Sequence, residues 1–155
     1  QDYWTILREA TGPEVLNAVP GKNFIVPLKF WKLYREDLAD YAGEVAIWLD
    51  SDENVNDIGS ELTSFSLIAL NFPIFSDGRS YTNARELREC HKYEGEVRAI
   101  GDVLRDQLYY MSRCGFDAFD LRSDQSPENC LTAFADFSTS YQATTTESSP
   151  LFRRR

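Results

Sequence analysis

Five short apolar runs recur along the chain, and helical patterns fill most of the intervals between them. The runs are residues 24–28, 45–49, 67–72, 97–100 and 118–121. Near-continuous apolar runs of this length, without strict alternation, are typical of strands buried on both faces. A repeated strand–helix–strand order predicts right-handed crossovers and a parallel sheet. This repeated order of strands and helices constrains the fold more than any other feature of the sequence.

The sequence therefore predicts one α/β domain, with a mostly parallel sheet of about five strands and helices on both faces, as in flavodoxin-like or Rossmann-like folds. The alternative is a partial β/α barrel, because a complete barrel needs roughly 250 residues and the chain has 155. We expect the domain to span residues 1–141, with 1–23 as a possible extra edge strand or hairpin. Residues 142–155, rich in Thr and Ser, are expected to form a flexible tail.

The clearest of the predicted helices follows the fourth apolar run. Asp102 is a suitable N-cap, and Gly115 stands where a C′ glycine belongs. Leu104, Leu108 and Met111 form its apolar stripe. A later helix is predicted from residue 126 onward, where a serine cap precedes a proline.

Composition limits the classes of function. The chain has 16 basic and 25 acidic residues and a formal net charge of -9. That balance disfavours general nucleic-acid binding, which needs a clustered basic surface. No apolar run approaches the roughly 20 residues of a membrane-spanning helix. Three irregularly spaced cysteines favour reduced, mostly buried thiols, and hence a cytoplasmic protein.

Charged residues gather where predicted strands pass into helices. Open parallel sheets bind ligands outside the carboxyl ends of their strands, so we expect these residues at one edge. They are candidates for an anion or partner site: Asp77, Arg79, Asp102, Arg105, Asp106 and Arg122. An arginine near a helix N-terminus is best explained by a nearby anion. The alternatives are helix capping with exposed ion pairs, and an ordinary solvated helix face.

Motifs for familiar cofactors are missing from the sequence. Neither a Rossmann nor a P-loop glycine pattern occurs, and no nucleophile elbow is present. The single His91 and the lack of a C-x-x-C pair predict no metal site. These absences leave both the cofactor and the question of enzymatic activity open.

Three segments carry a family resemblance: F-P-I-F-S-D-G-R-S-Y (72–81), G-E-V-R-A-I-G-D-V-L-R-D-Q-L (95–108) and R-C-G-F-D-A-F-D-L-R (113–122). Together with F-A-D-F-S-T-S-Y-Q (134–142) and P-L-F-R-R-R (150–155), they resemble the bacterial family known as domain of unknown function 934. The resemblance spans about residues 24–155. It implies a place in sulfur assimilation, because such genes typically lie beside those for assimilatory sulfite reductase. Members are often labelled probable oxidoreductases of sulfite reduction.

Two functions follow as expectations. The first is an accessory protein of assimilatory sulfite reduction, which binds sulfite reductase or its electron donor. The second is an oxyanion-binding enzyme or oxidoreductase of the same pathway. There the arginines of the candidate set would hold sulfite or sulfate, and its aspartates would perform acid–base chemistry.

Overall fold

The structure, a computed structural model, describes residues 4–8, 12, 22–74 and 78–121. Six strands form one sheet in which every neighbouring pair is parallel. The strands are β1 (Trp4–Ile6), β2 (Asn23–Pro27), β3 (Val45–Leu49), β4 (Leu67–Phe72), β5 (Glu96–Gly101) and β6 (Ala118–Phe119). The five predicted apolar runs overlap β2 to β6, and the last run extends two residues beyond β6.

The strands lie in the order in which they occur in the sequence, from β1 at one edge to β6 at the other. Because parallel crossovers are right-handed, an order that never reverses places successive crossovers on the same face of the sheet. The result is a curled sheet, half of a barrel. The prediction of an α/β domain with a mostly parallel sheet is confirmed. The strand order agrees with the alternative, the partial β/α barrel, rather than with a doubly wound sheet.

The crossovers contain short helical segments rather than long helices. The segments are α1 (Leu28–Leu33), α2 (Arg35–Ala39), a 3-10 segment (Val55–Ser64), α3 (Arg79–Arg85), a π-helical turn (Glu86–Cys90), a 3-10 turn (Arg105–Gln107) and α4 (Leu108–Cys114). Gly59, with φ of 76°, interrupts the first 3-10 segment. Gly115 ends α4 in the left-handed conformation, as the sequence predicts.

The prediction of Asp102 as a helix N-cap is wrong. The backbone N–H of Asp102 donates to the carbonyl of Phe72 at 2.8 Å, which extends the pairing of β4 and β5. Leu104 is still extended, and the 3-10 turn begins only at Arg105. Met111 is fully buried, as predicted, whereas Leu104 is only partly buried.

Hydrophobic side chains pack on both faces of the sheet. On one face, alternate strand residues such as Val26, Ile47 and Leu70 pack against side chains of the helical segments. The other face carries a smaller cluster made only of strand residues: Ile25, Ala46, Trp48, Leu67, Ala69 and Ile100, with Trp4 and Ile6 against it. Within the described ranges the helical segments thus cover a single face, and the second cluster forms the inner face of the half-barrel.

Several predicted features fall outside the described residues. They are the helix predicted from residue 126, the tail at residues 142–155, and two candidate site residues, Asp77 and Arg122. None of the helices within the described ranges has the length and apolar character that a membrane crossing requires.

Candidate functional site

A hydrogen-bonded group of polar side chains lies at the carboxyl edge of the sheet. We call it the carboxyl-edge cluster; its members are Arg8, Asp50, Ser51, Asn71 and Arg79. Arg8 follows β1, Asp50 and Ser51 follow β3, Asn71 belongs to β4, and Arg79 begins α3. In barrels of parallel strands this edge is the one that carries the active site.

Asn71 is the centre of the cluster. Its side-chain amide donates from Nδ2 to Asp50 Oδ1 at 3.1 Å, and its Oδ1 accepts from Arg8 Nη1 at 2.8 Å. Asn71 is only 7% exposed. Because an unpaired amide in such a position would be costly, its two partners hold the side chain in one orientation. The hydroxyl of Ser80 donates to the Asn71 carbonyl at 2.6 Å and ties α3 to the same strand.

Arg79 reaches the cluster from the start of α3. Its Nη2 donates to the hydroxyl of Ser51 at 2.9 Å. Ser51 is buried, and its backbone N–H donates to Asp50 Oδ1 at 2.8 Å. Hydrogen-bonded side chains therefore connect one exposed arginine, Arg8, to a second, Arg79, through the buried Asn71 and Ser51 and the partly buried Asp50.

Gly101 shapes the edge beside the cluster. Its φ is 93°, which favours glycine, and a Cβ at this position would overlap the carbonyl oxygen of Phe72 and Oδ1 of Asn71. The absence of a side chain lets the end of β5 approach the Asn71 amide closely. Any larger residue would push the Asn71 side chain away from its partners.

Trp48 supports the position of Arg8 from the inner face of the half-barrel. The Arg8 guanidinium carbon lies 5.4 Å from the centre of the indole ring, within the range of a cation–π contact. The indole N–H donates to the carbonyl of Leu7 at 3.0 Å. Trp48 therefore contacts the segment that carries Arg8 at two points.

The structure describes four of the six residues predicted from the sequence. Arg79 belongs to the carboxyl-edge cluster, and Asp102 follows β5 at the same edge, next to the end of β4. Arg105 and the exposed Asp106 lie further on, in the 3-10 turn before α4.

Asp102, Asp106, Tyr109 and Arg113 would form one polar stripe if a single helix began at Asp102, but no single helix spans these positions. Arg113 is buried, and its guanidinium carbon lies 5.9 Å from the Tyr109 ring centre. The arginine therefore packs against its own helix and does not extend a solvent-facing stripe.

Four members of the cluster were missed by the sequence analysis: Arg8, Asp50, Ser51 and Asn71. Asn71 had a readable signal, because it is a polar residue inside the apolar run of a strand buried on both faces. Asp50 and Ser51 had a weaker one, as polar residues directly after a buried strand. Arg8 carried no signal, since its contact with Asn71 spans 63 positions of sequence.

A second polar group lies between α3 and α4, outside the cluster. Arg85 donates to the Tyr110 hydroxyl at 2.7 Å and to the sulfur of the buried Cys114 at 3.5 Å. Burial, together with smaller contributions from Cys114 and Tyr110, raises the pKa of Tyr81 to about 12. The predicted burial of Cys114 is confirmed, whereas Cys90 is exposed and Cys130 lies outside the described residues.

The carboxyl-edge cluster offers mainly hydrogen-bond donors to an incoming group. Guanidinium groups stand at both ends, and Asp50 Oδ1 accepts hydrogen bonds from inside the cluster. Such an arrangement suits the binding of an anion. Within the described ranges, no group of three or more His, Cys, Asp or Glu side chains is placed to hold a metal ion.

Comparison with known proteins identifies the family of the chain. No curated protein is significantly similar to it in sequence. The model of a family described as bacterial protein of unknown function (DUF934) matches residues 46–152, well over half of the chain. The match includes every member of the carboxyl-edge cluster except Arg8. The chain therefore belongs to the DUF934 family of bacterial proteins.

Proposed function

We propose that the chain binds a small oxyanion of the sulfite or sulfate class at the carboxyl edge of its sheet and acts in assimilatory sulfite reduction. One observation carries the binding proposal. Two exposed guanidinium groups, Arg8 and Arg79, are each anchored by a hydrogen bond to a buried polar side chain, Asn71 and Ser51 respectively.

Anchoring matters because flexible arginines lose conformational freedom when they bind an anion. A guanidinium that is already held by one hydrogen bond loses less of it. Its planar fork of N–H donors matches the oxygens of a tetrahedral or pyramidal oxyanion, and such charge-assisted bonds are stronger than neutral ones.

The pathway rests on different support, the family resemblance in the segments at residues 72–81, 95–108 and 113–122. Arg79 lies in the first of these segments. Sulfite and sulfate are the oxyanions of that pathway, so they are the first ligands to test. A cytoplasmic location belongs to the same proposal and is supported by the irregular spacing of the three cysteines.

Thermal unfolding with sulfite, sulfate and chloride as separate additives tests the binding proposal. A ligand that binds only the folded chain stabilises it by mass action, by about 2.7 kcal/mol when its concentration is a hundred times the dissociation constant. The melting temperature rises as a result. We expect a rise with sulfite or sulfate but not with chloride at equal ionic strength. Arg79→Ala and Arg8→Ala should each remove it.

Lys32→Ala is the matched control, because it removes one exposed positive charge elsewhere. It should leave the ligand-induced rise unchanged. If neither oxyanion stabilises the chain at millimolar concentration, or if Lys32→Ala removes the rise as completely as Arg79→Ala, the oxyanion site is refuted.

An accessory role beside sulfite reductase or its electron donor is the second candidate. The supporting observation is Ile74, two residues after β4 and 57% exposed, an apolar side chain at the same edge that a bound protein would bury. The test is recovery of sulfite reductase by the tagged chain, with and without residues 142–155. The accessory role is wrong if neither form recovers it.

A further inference from the structure

A groove lies on the helix-covered face of the sheet, at the end opposite the carboxyl-edge cluster. Its volume is about 410 Å³. It runs between α2 and the end of the 3-10 segment, over Val45 at the start of β3 and Phe65 just before β4. It shares no residue with the oxyanion site, and it has an apolar floor and an acidic rim.

The floor of the groove is apolar and firmly held. Trp31, Leu38 and Phe65 are each less than 10% exposed yet line the groove. The Trp31 and Phe65 rings meet edge to face, with centroids 5.1 Å apart. The Tyr93 hydroxyl donates to the Phe65 carbonyl at 2.7 Å and fixes that wall from behind. An apolar side chain could enter without rearrangement of the floor.

The rim of the groove is acidic. Glu36 and Glu61 line it, and two more exposed carboxylates, Asp37 and Asp40, belong to or directly follow the same short helix, α2. Among the described residues of the lining, the one cation is Arg35, whose Nη1 lies 2.7 Å from Glu61 Oε1. Since Arg35 is already paired with Glu61, the remaining rim charge is negative.

Arg35 also shows how a guanidinium binds at this place. Its Cζ lies 4.3 Å from the centre of the Trp31 ring, so that it stacks on an aromatic face while it pairs with a carboxylate. The carboxylate of Glu36 lies on the same rim. A second guanidinium, from a binding partner, would find the same kind of acceptor there.

We propose that this groove binds a basic peptide segment of a partner protein, in which one or two apolar residues adjoin a run of arginines. The apolar residues fill the floor beside Trp31 and Phe65, and the arginines lie along the carboxylates of α2. Charge complementarity decides the class of partner, because Glu36 lines the groove and Asp37 and Asp40 add exposed negative charge in or directly after the same helix.

A labelled peptide, acetyl-Leu-Phe-Arg-Arg-Arg-amide, is the probe; residues 151–155 of the chain have the same order. Fluorescence anisotropy with the full chain should show saturable binding below about 1 mM. Binding should weaken as salt is raised, because the rim charges are exposed. Acetyl-Leu-Phe-Glu-Glu-Glu-amide and acetyl-Ala-Ala-Arg-Arg-Arg-amide should each bind at least about tenfold more weakly.

Three variants locate the binding. Glu36→Lys should weaken it at least about tenfold, whereas Asp57→Lys, the same charge change on an exposed residue outside the groove, should have less than about a twofold effect. Ala39→Gln, at an exposed position in the lining, should weaken binding by occupying space without a change of charge.

Absence of saturable binding overturns the proposal. So does an equal effect of Glu36→Lys and Asp57→Lys, which would mean nonspecific attraction to an acidic chain. Binding that survives Ala39→Gln would show that the peptide lies elsewhere. None of these outcomes bears on the oxyanion site, which has separate residues and a separate assay.

Discussion

Arg8 Nη1 lies 2.8 Å from Asn71 Oδ1 and donates a hydrogen bond to it, although two strands, β2 and β3, separate β1 from β4 in the sheet. In a flat sheet three strand spacings amount to about 14 Å. The contact therefore depends on the curl of the half-barrel as well as on the length of the arginine side chain. Curvature thus brings the cluster together at the carboxyl edge.

Replacement of Asn71 by Asp should destabilise the chain. The new carboxylate keeps an acceptor for Arg8 but removes the donor to Asp50 and places a like charge 3.1 Å from it. We expect a loss of about 2–3 kcal/mol in the free energy of unfolding, measured by urea denaturation at pH 7.

The matched control is Asn23→Asp. Asn23 accepts a hydrogen bond at Oδ1 from the backbone N–H of Glu44 in an exposed setting, and aspartate can accept it equally well. The change should stay within about 0.5 kcal/mol. Equal effects at Asn71 and Asn23 would contradict a buried, doubly bonded amide at the centre of the cluster.

Two glycines with positive φ should respond differently to alanine. At Gly59 a Cβ would meet open space, so Gly59→Ala should cost only the backbone strain of φ 76° and ψ -148°, about 1–3 kcal/mol. At Gly101 backbone strain is joined by overlap with Phe72 and Asn71, which should add about 1–3 kcal/mol to the loss. Urea denaturation of both variants measures the difference, and similar losses would show that the end of β5 is not tightly packed.

Tyr81 should ionise late in an alkaline titration. Burial, with Cys114 and Tyr110, raises its pKa from 10.0 to about 12. Because the folded pKa exceeds the unfolded one, the stabilisation from neutral Tyr81 is complete below pH 10 and is lost as the pH rises through about 12.

Absorbance at the tyrosinate band tests this prediction, with Tyr81→Phe as the comparison. The variant should lack one transition near pH 12, and its stability should fall less steeply above pH 10. Loss of a transition near pH 10 instead would mean that the phenol is solvated in the folded chain. Tyr93, whose pKa burial also raises, stays unchanged in both proteins.

Arg88 should be more important for stability than a surface arginine. It donates to the carbonyls of Gly115, Tyr93 and Gly95 at 3.0, 2.8 and 2.8 Å, and its Nη2 lies 3.3 Å from Asp117. Arg88→Ala would remove the donors to all three carbonyls. We expect a loss of about 3 kcal/mol in the free energy of unfolding.

Arg88→Lys should recover only part of that loss, because one ammonium group does not reproduce the planar fork. Arg35→Ala is the control, since its half-exposed ion pair with Glu61 and its stack on Trp31 should each contribute under about 1 kcal/mol. Urea unfolding of the three variants measures the three losses in the free energy of unfolding. Full recovery of stability with lysine would contradict the role of three separate carbonyl contacts.

The amino-acid sequence by itself determined the strands. Runs such as residues 45–49 and, except for Asn71, 67–72 are apolar because both faces of the sheet are buried, and their order predicts parallel pairing. The glycine that ends α4 was readable for a similar reason, since its conformation is local. Such features depend on residues close together in the chain.

Only the tertiary structure decided between a doubly wound sheet and a half-barrel. Strand order depends on whether each crossover places the next strand on one side or the other of the preceding strand. The pattern of apolar residues does not specify that side. The start of the helix after Asp102 was also misjudged, because the pairing of its backbone with Phe72 competes with capping. Tertiary contacts override local propensity at such points.

The candidate site shows the same division. Arg79 was found because its setting, a strand followed by a helix, is local in sequence. The residues around Arg79 were not found, since Ser51 lies 28 positions away in the sequence and the Arg8–Asn71 contact spans 63 positions. These side chains meet because neighbouring parallel strands all end at one edge and the sheet curls. They are therefore close together only in the folded chain.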